Sequence, residues 1–165
     1  MLAGWGYARQ RVVRGPEGPV RVRPRRARCS GCGATHVLLP VALLLRRADA
    51  VVVIGAALAA KGAGVGHRRI AAGLGRAAET VRGWLRRFGG RLEAVRGLFT
   101  VLLRGLAADP VMPEPAGSAW ADAVAAIVAA ASAAAERFVV AAVPVWWWVA
   151  AVCGGRLLAP GWPRS

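Results

Sequence analysis

The apolar spacing of this chain changes period once, at Asp49, and that change sets its fold class. Before it, residues 5–13 (WGYARQRVV) and 20–28 (VRVRPRRAR) alternate apolar or aromatic with basic side chains, the period-two pattern of strands. The RGPEGP between them is a Gly/Pro turn, so the two runs read as a β-hairpin. Pro24 shortens its second strand or confines it to an edge, having no N–H to give a ladder. After Asp49 the spacing becomes three to four. Asp49 is expected to cap a helix carrying Val52, Val53, Ala56, Ala57 and Ala60, which ends near KGAGVG. Leu92, Val95, Leu98, Phe99, Leu102, Leu103 and Leu106 predict a helix over 91–107, with Gly89-Gly90 breaking the path into it. Beyond ADPVMPEPAGS, Ser118 is placed to cap an alanine-rich helix over 119–137, and Pro144 opens a further apolar segment. The expected fold is mainly α: a small β-hairpin region over 1–47, a helical domain over 48–107, a Pro-rich linker over 108–117 and a helical region with a tail over 118–165.

Charge is partitioned along the same lines. The chain has 165 residues and a net charge of +15, carried by 22 Arg and one Lys. Residues 1–47 hold ten Arg against Glu17, and residues 48–104 hold ten basic groups against Asp49, Glu79 and Glu93. Residues 105–165 hold three Arg against four acids. The preference for Arg over Lys, alongside heavy use of Ala, Gly, Val and Pro, is what a GC-rich genome produces and is no sign of phosphate recognition. Its confinement to the first two-thirds is the informative part: a basic half joined to a neutral half suits a polyanion-binding part plus a packing or partner-binding part. The plainer alternative is that the arginines only keep an apolar protein soluble.

The segment HRRIAAGLGRAAETVRGWLRRF, residues 67–88, narrows the polyanion to DNA. A helix-turn-helix needs a small residue where its helices touch, a Gly in the turn and apolar anchors at set offsets, so that the second helix can enter the major groove. Counting from His67 as first, Ile70 is fourth, Ala71 fifth, Leu74 eighth, Gly75 ninth, Val81 fifteenth and Trp84 eighteenth, all suitable; Arg76, at the tenth position, departs from the usual apolar choice. With the preceding helix the motif becomes a tri-helical helix-turn-helix. Its second helix, from about Ala78 to Phe88, presents Ala78, Glu79 and Thr80 in the first turn. Glu79 could accept from a cytosine amino group and Ala78 touch a thymine methyl, while Arg82 reaches a guanine edge or a phosphate. Arg68, Arg69, Arg86 and Arg87 are better placed for the DNA backbone, and His67 for a helix start or a phosphate. The competing reading is a helical bundle whose Gly and Ala only allow close packing.

ARCSGCGATH, residues 27–36, holds a Cys-x-x-Cys pair, Cys29 and Cys32. Two thiolates at this spacing grip one zinc ion, but a structural site needs four ligands, and Cys29 and Cys32 with His36 alone make an incomplete set. Cys153 reads as a buried apolar cysteine. Three cysteines make no disulfide framework, and MLAGWGYARQRVV lacks a signal-peptide core, so a reducing cytoplasm is expected.

The residues around the cysteines carry a resemblance. RVRPRRARCSGCGATHVLLP looks like the second knuckle of the zinc ribbons that precede helix-turn-helix domains in transposases. That run, then RRADAVVVIGAALAAKGAGVGHRRIAAGLGRAAETVRGWLRRF, then GGRLLAPGWP, resembles in the same order an uncharacterised actinobacterial family of short helix-turn-helix, transposase-like proteins, over most of the chain. The resemblance implies a first Cys-x-x-Cys just upstream of the strand matching GWGYARQRVV, and zinc in a full-length form. Here Met1 stands four residues before Trp5. Three explanations compete: a start assigned too late, which is favoured; a decayed relic with a broken ribbon; or a zinc shared across a homodimer, each copy giving Cys29 and Cys32.

No catalytic residues or small-molecule substrate are expected. The eight acids are scattered, whereas a nuclease-type transposase needs three carboxylates on an α/β scaffold to hold two metals. GAGVGHR lacks the Gly-Lys-Ser/Thr ending of a phosphate-binding loop. The chain is therefore expected to bind double-stranded DNA, transposase-like or as a transcription regulator, without chemistry. The rival is a membrane anchor over 119–153, where Trp146-Trp147-Trp148 resembles an interface belt. Asp122, Glu136, Arg137 and Pro144 interrupt that run, so burial or self-association as a homodimer is the simpler account.

Overall fold

The structure is a computed structural model that describes residues 1–138 and 143–163. Residues 139–142 of the apolar segment over 119–153, and the last two residues of the tail, lie outside the described residues.

The N-terminal hairpin forms, and Pro24 divides it. β1 (Leu2–Tyr7) pairs antiparallel with β4 (Arg25–Cys29), and β2 (Arg11–Arg14) with β3 (Pro19–Val22). Between the two ladders the chain keeps one bond, from the Ala8 amide to the Pro24 carbonyl at 2.8 Å, since Pro24 accepts but cannot donate. The tip closes through Gly15 and Gly18, whose backbone groups bond at 2.8 Å. A further strand, β5 (Thr35–Val37), follows the Cys29–Cys32 turn and pairs antiparallel with β4. Three residues are too few for a period to show.

Six helices follow. α1 (Val51–Gly62), α2 (His67–Leu74) and α3 (Ala78–Gly89) pack against one another; α4 (Leu92–Leu106) and α5 (Ala119–Phe138) form the most extensive helix pair; α6 (Val145–Val152) closes on α1 and α5. The mainly α class with a small N-terminal β region is what the spacing implied. Ser118 caps α5 as expected, its Oγ accepting from the Ala121 amide at 3.2 Å.

Asp49 does not cap α1. The helix opens at Ala50 with no side-chain cap, and Asp49 is drawn into an ion cluster described below. The buried face of α1 also differs from the expected stripe: Val51, Val53, Ile54, Gly55, Ala57 and Leu58 are buried, and Ala56 is exposed. A helix surrounded by α2, α3, α5 and α6 is enclosed on most sides, so its apolar spacing does not single out one face. Gly55 lies under the Trp146 indole, where a Cβ would sit 2.1 Å from ring carbons.

One apolar cluster runs from Val13 on β2 through Leu43, Leu44, the helices and Cys153 to Leu157, Leu158 and Trp162 in the tail. It is continuous across residues 108–118, which carry the chain back along α4: Trp120, at the start of α5, lies against Phe88 and Gly89, and Arg137, near its end, donates to the Gly105 and Leu106 carbonyls. Cys153 is buried, as expected, and burial pushes its thiol up from the ordinary range.

Candidate nucleic-acid interface

α2 ends at Gly75, which takes left-handed backbone angles of φ 61° and ψ 42°. Glycine enters that region at no steric cost, which is why the turn can be so short before α3 begins. Ile70, Ala71, Val81 and Trp84 are buried where the two helices and α1 meet, and Leu74 is half-buried.

The burial of α3 is one-sided. Val81, Trp84, Leu85 and Phe88 face the core, which turns Glu79, Gly83 and Arg86 to the opposite side, flanked by Arg82 and Arg87. Glu79 and both flanking arginines are exposed, as are Arg68 and Arg69 on α2. Ala78 packs against the core and Thr80 is half-buried, so of the three first-turn residues expected to meet bases, only Glu79 stands clear. Arg82 approaches Glu79 at 3.5 Å, with both side chains largely in solvent, a pairing weak enough to be exchanged for another partner. Arg87 donates to the Gly83 carbonyl at 3.0 Å. Arg82 and Arg86 also border a groove of about 450 Å³ with Lys61 and His67, floored by Leu85 and Trp120.

Two features of this region escaped the sequence. The first explains Arg76. Its Nε donates to Asp49 Oδ1 at 2.7 Å, its Nη2 to the Gly15 carbonyl at 3.0 Å, and its Nη1 to the Leu74 and Gly75 carbonyls, each at 3.1 Å. Arg14 reaches the same carboxylate with two bonds, 3.0 Å to Oδ1 and 2.6 Å to Oδ2. The pairing raises the Arg14 guanidinium above its ordinary value, first through the hydrogen bond and then through the charge of Asp49. Arg76 thus ties the turn between α2 and α3 to the tip of the β2–β3 hairpin, with Asp49 buried at the junction. The second is Arg47. Its Nε is buried without a partner among the described residues, and burial together with the nearby Arg87 lowers its pKa.

Cys29 and Cys32 bracket the turn from β4 to β5, closed by the Gly33 amide on the Cys29 carbonyl and the Cys29 amide on the Ala34 carbonyl, each at 2.9 Å. The amides of Cys32 and Gly31 lower the Cys29 thiol. His36 stands opposite Ala27 in the β4–β5 ladder, and among the described residues no third Cys, His, Asp or Glu joins the pair. The two thiols alone do not fit a closed four-ligand zinc site. No protein-family model, curated protein or solved structure matches this chain.

Proposed function

We propose that the chain binds double-stranded DNA through a tri-helical helix-turn-helix built from α1, α2 and α3, with α3 entering the major groove. The observation that carries this reading is the outer face of α3: an exposed row of Glu79, Arg82, Arg86 and Arg87 on a helix whose opposite face is buried, following a left-handed Gly75 turn. Arg82 and Glu79 are free to meet base edges, while Arg68, Arg69, Arg86 and Arg87 take phosphates. The chain does no chemistry on the DNA; as a transposase-like or regulatory protein of the cytoplasm it positions and is positioned. In the family it resembles, Cys29 and Cys32 would supply half of a zinc site.

Titrating a labelled duplex with the full chain at several salt concentrations tests the reading. The logarithm of the affinity is expected to fall linearly with the logarithm of salt, with a slope of about 0.9 for each neutralised phosphate. Combined Arg82→Ala and Arg86→Ala substitution is expected to weaken binding about tenfold or more, leaving helicity unchanged by circular dichroism. Salt-insensitive binding, or none to any duplex, sinks the proposal.

A second reading has one observation behind it. α5 spans 20 residues with a mean hydropathy of 1.3 over its most apolar window, long and apolar enough to cross a membrane. Seven of its residues, Ala123 through Ala134, are instead buried in the protein. Membrane material that releases the protein only with detergent would favour the anchor.

A further inference from the structure

The N-terminal sheet carries two aromatic side chains that the helix-turn-helix reading does not use. Trp5 and Tyr7 lie on β1, the edge strand of the order β1-β4-β5, and each is 50% exposed. An indole half in water keeps one part of its apolar, flat surface available to a ligand. Each ring has an arginine against it: the Arg28 guanidinium carbon lies 4.8 Å from the Trp5 ring centre, and that of Arg23 5.1 Å from the Tyr7 ring centre. Arg28 is pinned there, because its Nε donates to the Gly33 carbonyl of the Cys29–Cys32 turn at 3.2 Å. Both rings border one shallow depression of about 360 Å³, shared with Leu2, Arg25, Arg26 and Leu38. No acid lies among these residues. Gly4 and Gly6 between and beside the rings leave open space where side chains would otherwise stand.

Flat rings, cations held beside them and a clear surface are the requirements for stacking bases while neutralising the phosphates that join them. A duplex cannot supply such bases, since its own are stacked inside; an unpaired strand can. A protein partner would have to bring acids to match these arginines, whereas a nucleic acid carries its phosphates along with the bases that stack. We propose that the β1–β4 sheet is a second nucleic-acid site, which binds single-stranded nucleic acid by stacking successive bases on Trp5 and Tyr7, with Arg23, Arg25 and Arg28 on the phosphates. It is independent of α3. Together the two sites would let one chain hold a duplex beside an opened strand.

The test uses the full chain and fluorescence anisotropy with three labelled probes of equal length: oligothymidylate, oligouridylate, and an abasic deoxyribose-phosphate strand. Oligothymidylate or oligouridylate is expected to bind at least about tenfold more tightly than the abasic strand, and the order of the two distinguishes a DNA from an RNA target. Trp5→Ala and Tyr7→Ala are each expected to reduce that affinity about tenfold, whereas Trp5→Phe and Tyr7→Phe, which keep a ring, retain most of it. Arg82→Ala with Arg86→Ala should leave single-strand binding intact, so failure of the duplex reading and failure of this one are separate results. Equal affinity for the abasic strand overturns the proposal, as does unchanged binding by the two alanine variants. Should an alanine variant misfold, loss of base-dependent binding in the folded phenylalanine variants is read instead as evidence against stacking on these rings.

Discussion

The Asp49 carboxylate is buried between two arginines, one at the end of β2 and one in the turn between α2 and α3. As an acid immediately before an apolar helical run it has the credentials of a cap, and nothing local argues otherwise. What claims it are Arg14 and Arg76, 35 and 27 positions away. Arg76 was legible as an anomaly, a cation at an offset that favours an apolar residue, but the partner that explains it was not. Asp49 is 2% exposed and Arg76 16%, whereas Arg14 is half in solvent, so the strong coupling lies between Asp49 and Arg76. Arg76→Leu strands a buried carboxylate on one half-exposed partner and is expected to destabilise the fold by about 3 kcal/mol. Asp49→Ala leaves Arg76 its three carbonyl acceptors and should cost less. The double variant should cost clearly less than the two single costs added, because each single change leaves the other charge uncompensated. Urea unfolding of the three variants measures this. Additive costs would mean that the ion pair does not join the turn to the hairpin.

At the scale of elements, legibility followed length and one-sidedness. α3, α4 and α5 have stripes long enough to read, and their ends came with punctuation: Gly89-Gly90, the Pro-rich stretch, Ser118. The α2–α3 turn was readable because Gly75 is required by its backbone geometry. β5 was lost to its brevity, and the burial of α1 to its encirclement. α1 also holds a close helix approach, Gly55 beneath Trp146, which no spacing rule reveals because it depends on where α6 lands. Gly55→Ala separates two effects of opposite sign. Alanine improves intrinsic helix propensity by up to about 1 kcal/mol. Its methyl, however, would overlap the indole, and overpacking a filled core typically costs 1–3 kcal/mol. The clash is with the body of a half-buried ring rather than a flexible tip, so packing should win, with a net loss of about 1–2 kcal/mol and a lower thermal midpoint. A midpoint that rises would show that α6 can move aside. Trp146→Leu in the Gly55→Ala background should recover part of the loss.

For the whole molecule, the sequence divides the chain more sharply than the packing does. Composition and charge shift at 47 and again near 108, and nearly all of the arginine lies in the first two-thirds. The apolar cluster ignores both boundaries. Val13 comes into it from the hairpin, Leu43 and Leu44 from an irregular segment, and Leu157, Leu158 and Trp162 from a tail with no period at all. Isolated apolar residues in irregular chain carry no signal until the fold gathers them. The tail is also tied by polar bonds: the Leu45 amide donates to the Gly155 carbonyl at 2.8 Å, and Arg91, at the start of α4, donates to the Ala159 and Trp162 carbonyls. Arg91 is part-buried there, and burial lowers its pKa. These ties join the tail to segments far back in the chain, and Val13 shares its apolar cluster, so hairpin, helices and tail should unfold together. A single cooperative urea transition is expected, with far-ultraviolet circular dichroism following the helices and tryptophan fluorescence following Trp84, Trp120 and Trp162, and the two midpoints should coincide. Ending the chain after Gly154 removes three buried side chains and the carbonyls that Arg91 meets, and it should lower the midpoint for both probes. Two separated transitions in the intact chain would mean that the compositional boundaries are also boundaries of stability. The hairpin would then be free to reorient, and the Arg76 bonds to its tip could not fix the α2–α3 turn against it.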